Sequence, residues 1–277
     1  LNVRYESTLV RNSTRKIRMR VLMIGDVVGS GGRKAVTSLL KDLRSELNID
    51  FVTLQGENLA AGIGLTVDTV AEMQEAGADV ITTGNHVWDK REFIDHLDDP
   101  FLPVLRPLNY PPGTPGRGAT DDSGPIAVIN LIGRVWVGEF DSPFAVVDDL
   151  LAGGFGLGKP IVVDFHAEAT SEKAALAWHL DGRIAAVVGT HTHVPTSDCK
   201  VLPDGTAFVT DLGMVGAVDS ILGVEVEGSL ARFLSGRRQR MQPIRKGLVN
   251  FNSVLIDIDA STGQASSIER VDRQIEV

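Results

Sequence analysis

The segment His191-Thr192-His193 sets two imidazoles two residues apart, directly after an apolar run, in a chain with six histidines. Imidazole is the commonest metal ligand among side chains, so the pair raises metal chemistry against plain packing. Four other short apolar runs end in the same way. RVLMIGD ends at Asp26, FVTLQGEN at Glu57 and Asn58, DVITTGNH at Asn85 and His86, and PIVVDFH at His166. One carboxylate or imidazole after an apolar run is ordinary, but five in the same relative position are hard to attribute to packing. In an extended segment residues i and i+2 project from one side, about 6.6 Å apart, so the two imidazoles reach two different ions. Ions in a two-metal hydrolytic site lie about 3.5–4 Å apart and need a bridging carboxylate, for which Glu57 is the natural candidate. Imidazole, carboxylate and amide oxygen without cysteine suit iron first and manganese next, with zinc left open for a catalytic site.

These groups need elements to position them. Continuous apolar runs of this length (20–26, 51–58, 79–86, 160–166 and 184–191) read as strands buried on both faces. Between them lie helical patterns over 34–47, 67–76 and 171–180, with Thr170 or Ser171 as an N-cap and Gly77 and Gly182 as stops. Strands alternating with helices indicate an α/β fold, and in such sheets ligands collect at the carboxyl ends of the strands. Further strands are expected at 126–132, 135–138 and 207–211, and a hairpin turning at Thr262-Gly263. The stretch 107–125, with five prolines and four glycines, reads as a stiff surface loop. GDVVGSGGRK (25–34) fails the spacing of both common glycine-rich phosphate loops. His96, His179 and the tandem acids Asp98-Asp99 and Asp121-Asp122 read as structural or solvated groups.

The formal charge is −9, but residues 1–18 hold five basic residues and one acid, leaving 22 basic against 35 acidic residues, a net −13, from Met19 onward. Such a surface argues against duplex nucleic acid as a partner. It leaves room for a small anionic substrate if cations supply the positive charge. No run approaches the roughly 18–20 uncharged apolar residues of a membrane span, so no membrane partner is expected. The single Cys199 fits a reducing cytoplasm. Residues 1–18 are expected to be an extension outside the fold, ahead of a start at Met19, with 19–277 as a single domain.

The ordered set G-D (25–26), G-E-N (56–58), G-N-H (84–86), F-H-A-E-A-T-S-E-K (165–173) and G-T-H-T-H (189–193) resembles the calcineurin-like metallophosphoesterases. More narrowly it resembles their bacterial YmdB-like branch, a likeness that includes N-H-V-W-D-K-R-E (85–92) and R-P-L-N-Y (106–110). The resemblance implies a four-layer αββα sandwich with two metals at the carboxyl ends of the strands. It implies Asp26, Asn58 and His193 on the first metal, Glu57 bridging, Asn85, His166 and His191 on the second, and His86 as proton donor. The wider superfamily has a histidine two residues after the first aspartate. Here that position is Val28 and Asn58 follows the bridging acid, as in the YmdB-like branch.

The expected reaction is hydrolysis of a 2′,3′-cyclic nucleotide at its 2′-phosphodiester bond, by a metal-bridging hydroxide with His86 as general acid. The substrate class comes from the resemblance, as does an expectation of homo-oligomers. Glu168, Thr190, Thr192 and the 107–125 loop are candidates to shape the pocket, and no residue is assigned to the substrate. Two rivals stay open: a phosphomonoesterase on the same site, and a metal-bound regulatory protein whose catalysis is incidental.

Overall fold

The computed structural model describes residues 18–277, so the expected extension lies outside the described residues except for Arg18, which opens the first strand. Nine strands form one sheet: β1 (Arg18–Val27), β2 (Phe51–Gln55), β3 (Val80–Thr82), β4 (Val104–Leu105), β11 (Met214–Ala217), β12 (Leu248–Phe251), β13 (Ser253–Asp259), β14 (Gln264–Arg270) and β15 (Arg273–Glu276). Six form the other: β5 (Ala119–Thr120), β6 (Ala127–Ile132), β7 (Ile161–His166), β8 (Ala186–Thr190), β9 (Lys200–Val201) and β10 (Ala207–Val209). The helices are α1 (Gly29–Glu46), α2 (Val67–Ala76), α3 (Arg91–Ile94), α4 (Pro143–Ala152), α5 (Thr170–His179) and α6 (Val226–Ser235). No helix among the described residues is long and apolar enough to cross a membrane.

Alternation along the strands explains the layers. On β1, Val21 and Met23 point into a core shared with Val128, Val162 and Val188 of the second sheet, whereas Leu22 and Ile24 point the other way, onto Val36 and Leu40 of α1 and Met73 of α2. The second sheet repeats the division, with Ile129, Val163 and Phe165 facing Val147 of α4 and Leu176 of α5. Each central strand is therefore apolar on both faces, which is why the runs read as unbroken hydrophobic stretches. The result is the expected αββα sandwich.

In one sheet β1, β2, β3 and β4 run parallel, and in the other β6, β7, β8 and β10 do. All the chemistry-bearing residues follow or close parallel strands, so the topology gathers them on one rim. Some local expectations change. Residues 135–137 form a turn, with Trp136 at φ 62 and 85% exposed, because Val135 and Trp136 have no neighbouring strand to pair with. Helix α5 starts at Thr170 after Ala169 and carries no side-chain cap. Helix α1 starts at Gly29, well before residue 34. Gly29 adopts φ 59, which lets the chain turn from β1 into the helix at once.

Ile256 on β13 is fully buried between the sheets. Ile256→Ala is expected to lower the unfolding free energy by roughly 2–5 kcal/mol in urea titration with the m-value unchanged. A loss below about 1 kcal/mol would contradict a tightly packed inter-sheet core.

Candidate metal centre

Asp26 is the next-to-last residue of β1 and is fully buried. Its Oδ2 accepts the His191 backbone N–H at 3.2 Å, and its Oδ1 is buried and accepts no hydrogen bond. His166 and His193 each bring a ring nitrogen to 3.9 Å from that Oδ1. His166, which ends β7, sets its Nε2 3.0 Å from Glu57 Oε1 and 3.0 Å from His191 Nδ1. Glu57, His166 and His191 thus offer one ligand atom each within 4.8 Å of one another, a cluster that can hold a metal ion. His193 belongs to the other end of the group, with Nε2 3.3 Å from Asn58 Oδ1. Asn58 Nδ2 donates to the Gly62 carbonyl at 3.0 Å, which fixes the amide oxygen toward His193. Asn85 contributes a second buried oxygen, Oδ1, with no hydrogen-bond partner.

The backbone that aims the two imidazoles is not extended as the i, i+2 spacing suggests. His191 has φ 99 and His193 φ 66, both left-handed, a conformation that costs about 1–2 kcal/mol for a non-glycine residue. Asp211 holds that turn between them, its Oδ2 accepting the Thr192 N–H at 3.2 Å. The same carboxylate takes a 2.7 Å ion pair from Lys173, whose side chain is fully buried. Breaking such a buried pair leaves an uncompensated charge, so it fixes the turn firmly.

A further set of buried groups sits behind His166. Its Nδ1 lies 3.0 Å from both Gln55 Nε2 and Thr190 Oγ1; Thr190 donates to Asp164 Oδ1 at 2.7 Å and Thr82 donates to Asp164 Oδ2. With Nδ1 engaged there, Nε2 is the nitrogen that faces the cluster. Gly84 completes the rim. A Cβ at that position would stand 2.3 Å from His166 Nε2 and 2.4 Å from Glu57 Oε2, so only glycine lets the loop pass this close.

Electrostatics follow from burial and proximity. Burial alone would raise the Glu57 carboxyl, but His166 beside it brings it down to about 2. Burial would likewise lower His166, yet Glu57, then Asp26 and Asp164, push it up to about 9. Burial and the neighbouring His166 charge drive His191 down to about 3. Asp26 is raised, first by burial, and Asp164 is pushed up to about 7 for the same reason. One imidazole is thus held charged and its neighbour neutral, the charge standing where a cation would serve the same carboxylates.

His86 lies on the rim, its N–H donating to Glu57 Oε2 at 3.1 Å and its Nδ1 paired with Asp89 Oδ2 at 2.6 Å. A cavity of about 450 Å³ is lined by Glu57, Asn58, His86, Glu168, His191 and His193, among others. That volume is within the ~300–1,000 Å³ of small-molecule sites. Glu168 Oε2 lies 3.3 Å from His191 Nε2, and Thr192 also lines the space, whereas Thr190 is fully buried behind it and the 107–125 loop contributes no lining residue. His179 pairs with Asp148 at 2.9 Å, away from the group. Asp89 and Lys173 lie inside the quoted motifs with no role of their own there, and no motif points to Gln55, Asp164 or Asp211. Of these only Asp89, three residues after His86, offers a local spacing signal.

A two-sheet αββα sandwich with imidazoles and carboxylates on the shared rim is the metallophosphoesterase fold. The family model for YmdB-like proteins matches residues 22–271, and the chain belongs to that family. It is 46% identical over 257 residues to the 2′,3′-cyclic-nucleotide 2′-phosphodiesterase of Bacillus subtilis (strain 168), covering 91% of this chain and 96% of the relative. Among solved structures, a novel phosphatase from Mycoplasma pneumoniae superposes with a TM-score of 0.86 at 30% identity over 94% of each chain. A hypothetical protein from Thermus thermophilus superposes with a TM-score of 0.84 at 43% identity, over 92% of this chain and 99% of that one.

A metal bound through His166 would have to displace the proton on its ring. Affinity measured by titration of metal-depleted protein is therefore expected to rise with pH up to about 9 and level off above it. Gly84→Ala is expected to weaken that affinity by roughly 10- to 100-fold. Wild-type affinity in the variant would show that the loop's approach to His166 and Glu57 is immaterial.

Proposed function

We propose that this chain is a metal-dependent phosphoric ester hydrolase that opens 2′,3′-cyclic nucleotides at the 2′-phosphodiester bond. The observation that carries the metal requirement is the pair of buried oxygens, Asp26 Oδ1 and Asn85 Oδ1, that accept no hydrogen bond beside a cluster of imidazole and carboxylate ligands. A buried acceptor without a donor costs about 1–3 kcal/mol, and a cation removes that cost. Asp26, Asn58 and His193 would hold one cation, Asn85, His166 and His191 the other, with Glu57 shared, and the donor set suits iron first and manganese second. Bound there, the cations supply Lewis acidity toward water and the phosphoryl oxygens. The activity of the Bacillus subtilis relative supports the substrate class.

The chain's own residues have three tasks. Asp211 and Lys173 keep the His191–His193 turn in its left-handed shape. Gln55 and Thr190 hold the His166 ring. His86 handles the proton: with Nδ1 on Asp89, its Nε2 is left to serve the leaving oxygen. Attack by water forms one P–O bond while the P–O2′ bond breaks. The proton from His86 then leaves a ribose 2′-hydroxyl and a 3′-phosphate, and the proton shed by the attacking water balances the one that His86 gave up.

His86→Ala is expected to retain bound metal and lose roughly 10²- to 10⁴-fold in kcat on a 2′,3′-cyclic nucleotide, followed by chromatography of the monophosphate product. Undiminished turnover would remove His86 from the reaction. Faster wild-type turnover of the monophosphate than of the ring would favour the phosphomonoesterase reading instead.

A further inference from the structure

The cavity over the metal-ligand cluster has a second wall of different chemistry. Besides the imidazoles and carboxylates, the cavity is lined by Ile221, Leu222, Val224 and Met241, joined by Arg232 and Phe233 of α6. This wall is built into the fold. The 221–224 turn and the returning 242–244 segment exchange backbone hydrogen bonds, Glu225 N–H to Gln242 at 2.9 Å and Ile244 N–H to Gly223 at 3.0 Å. Leu222, at φ 53, turns its carbonyl onto His193 Nδ1 at 3.2 Å, so the apolar wall and a rim imidazole share a contact.

Two side chains on this wall have no structural employment. Phe233 is 78% exposed. Arg232 makes no ion pair or side-chain hydrogen bond among the described residues, and it is the one Lys or Arg lining a cavity that also contains Glu57 and Glu168. Single exposed aromatics are common and need no explanation. An exposed aromatic beside a free guanidinium, both facing the space over a phosphoester site, is a narrower arrangement. A nucleotide offers the matching pair of groups: a flat π-face and an anion that an arginine can hold with two N–H donors.

We propose that α6 supplies the substrate-recognising side of the site, Arg232 pairing with the phosphate and Phe233 stacking on the base, so that Phe233 selects nucleotides over other phosphate esters. This rests on the phosphodiesterase reading above and adds to it the source of substrate selectivity. Stacking tolerates any base, because every base has a π-face, so the site discriminates for the presence of a base and little among bases.

The test compares kcat/KM of the metal-loaded enzyme on a 2′,3′-cyclic nucleotide and on the methyl riboside 2′,3′-cyclic phosphate, which has the same ring and no base. The wild type is expected to prefer the nucleotide. Phe233→Ala should reduce that preference by roughly 5- to 100-fold and Phe233→Trp should restore it. Arg232→Gln should raise KM for both rings together. Phe101→Ala, at an 89% exposed position outside the cavity, is the control and leaves the ratio unchanged. Equal wild-type activity on the two rings, or a ratio unmoved by Phe233→Ala, overturns the inference while the phosphodiesterase reading stands. A changed oligomeric state with the ratio intact also overturns it, and assigns Phe233 to contact between copies. Wild-type inactivity on both rings sinks the phosphodiesterase reading and this inference with it.

Discussion

A carboxylate taken wholly out of water, with one oxygen given no donor, is the constraint on which this structure turns. Asp26 is fully buried, and desolvation raises its proton affinity even against the pull of His193 and His166. An isolated buried carboxylate is among the most expensive groups a fold can hold, so positive charge must be brought to it. Both sheets contribute. The first supplies Asp26, Glu57, Asn58 and Asn85 at its strand ends, and the second supplies His166, His191 and His193. The rim is where the two layers must meet in register, and the inter-sheet core from Val21 to Val209 fixes that register.

The groups around the rim serve this arrangement at one remove. His166 is oriented through Gln55, Thr190 and Asp164, a chain of buried hydrogen bonds running back between the strands. The His191–His193 turn is held in a left-handed shape by Asp211, whose charge is in turn met by Lys173 on α5. Placement of the rim imidazoles therefore depends on residues whose side chains reach neither the cavity nor the solvent. Substitution at Lys173 or Asp211 acts on the turn first and on the chemistry through it.

Much of the fold was legible in the sequence because burial on both faces writes itself as unbroken apolar runs, and all five strand-end groups lie where those runs place them. The rim residues were legible for the same reason, since each follows a strand directly. What escaped falls into two kinds. The turn carrying His191 and His193 is left-handed because Asp26 and Asp211 bind its N–H groups, and nothing local in G-T-H-T-H reports contacts with residues so distant in the chain. The segment 135–138 looks like a strand by composition, yet it has no partner strand, and pairing is a property of the sheet. Arg232 and Phe233 were invisible for a related reason. The helix over 226–235 that carries them was not among the expected elements, and the cavity it borders is made by other segments.

The two cations proposed for this rim would be visible in anomalous X-ray diffraction from crystals of the metal-loaded protein. Two anomalous peaks about 3.5–4 Å apart are expected. One should lie among Asp26, Asn58 and His193, the other among Asn85, His166 and His191, with Glu57 between them. A single peak would reduce the centre to one cation. No peak there, with the Asp26 and Asn85 oxygens hydrogen-bonded to water, would mean that the rim is not a metal centre.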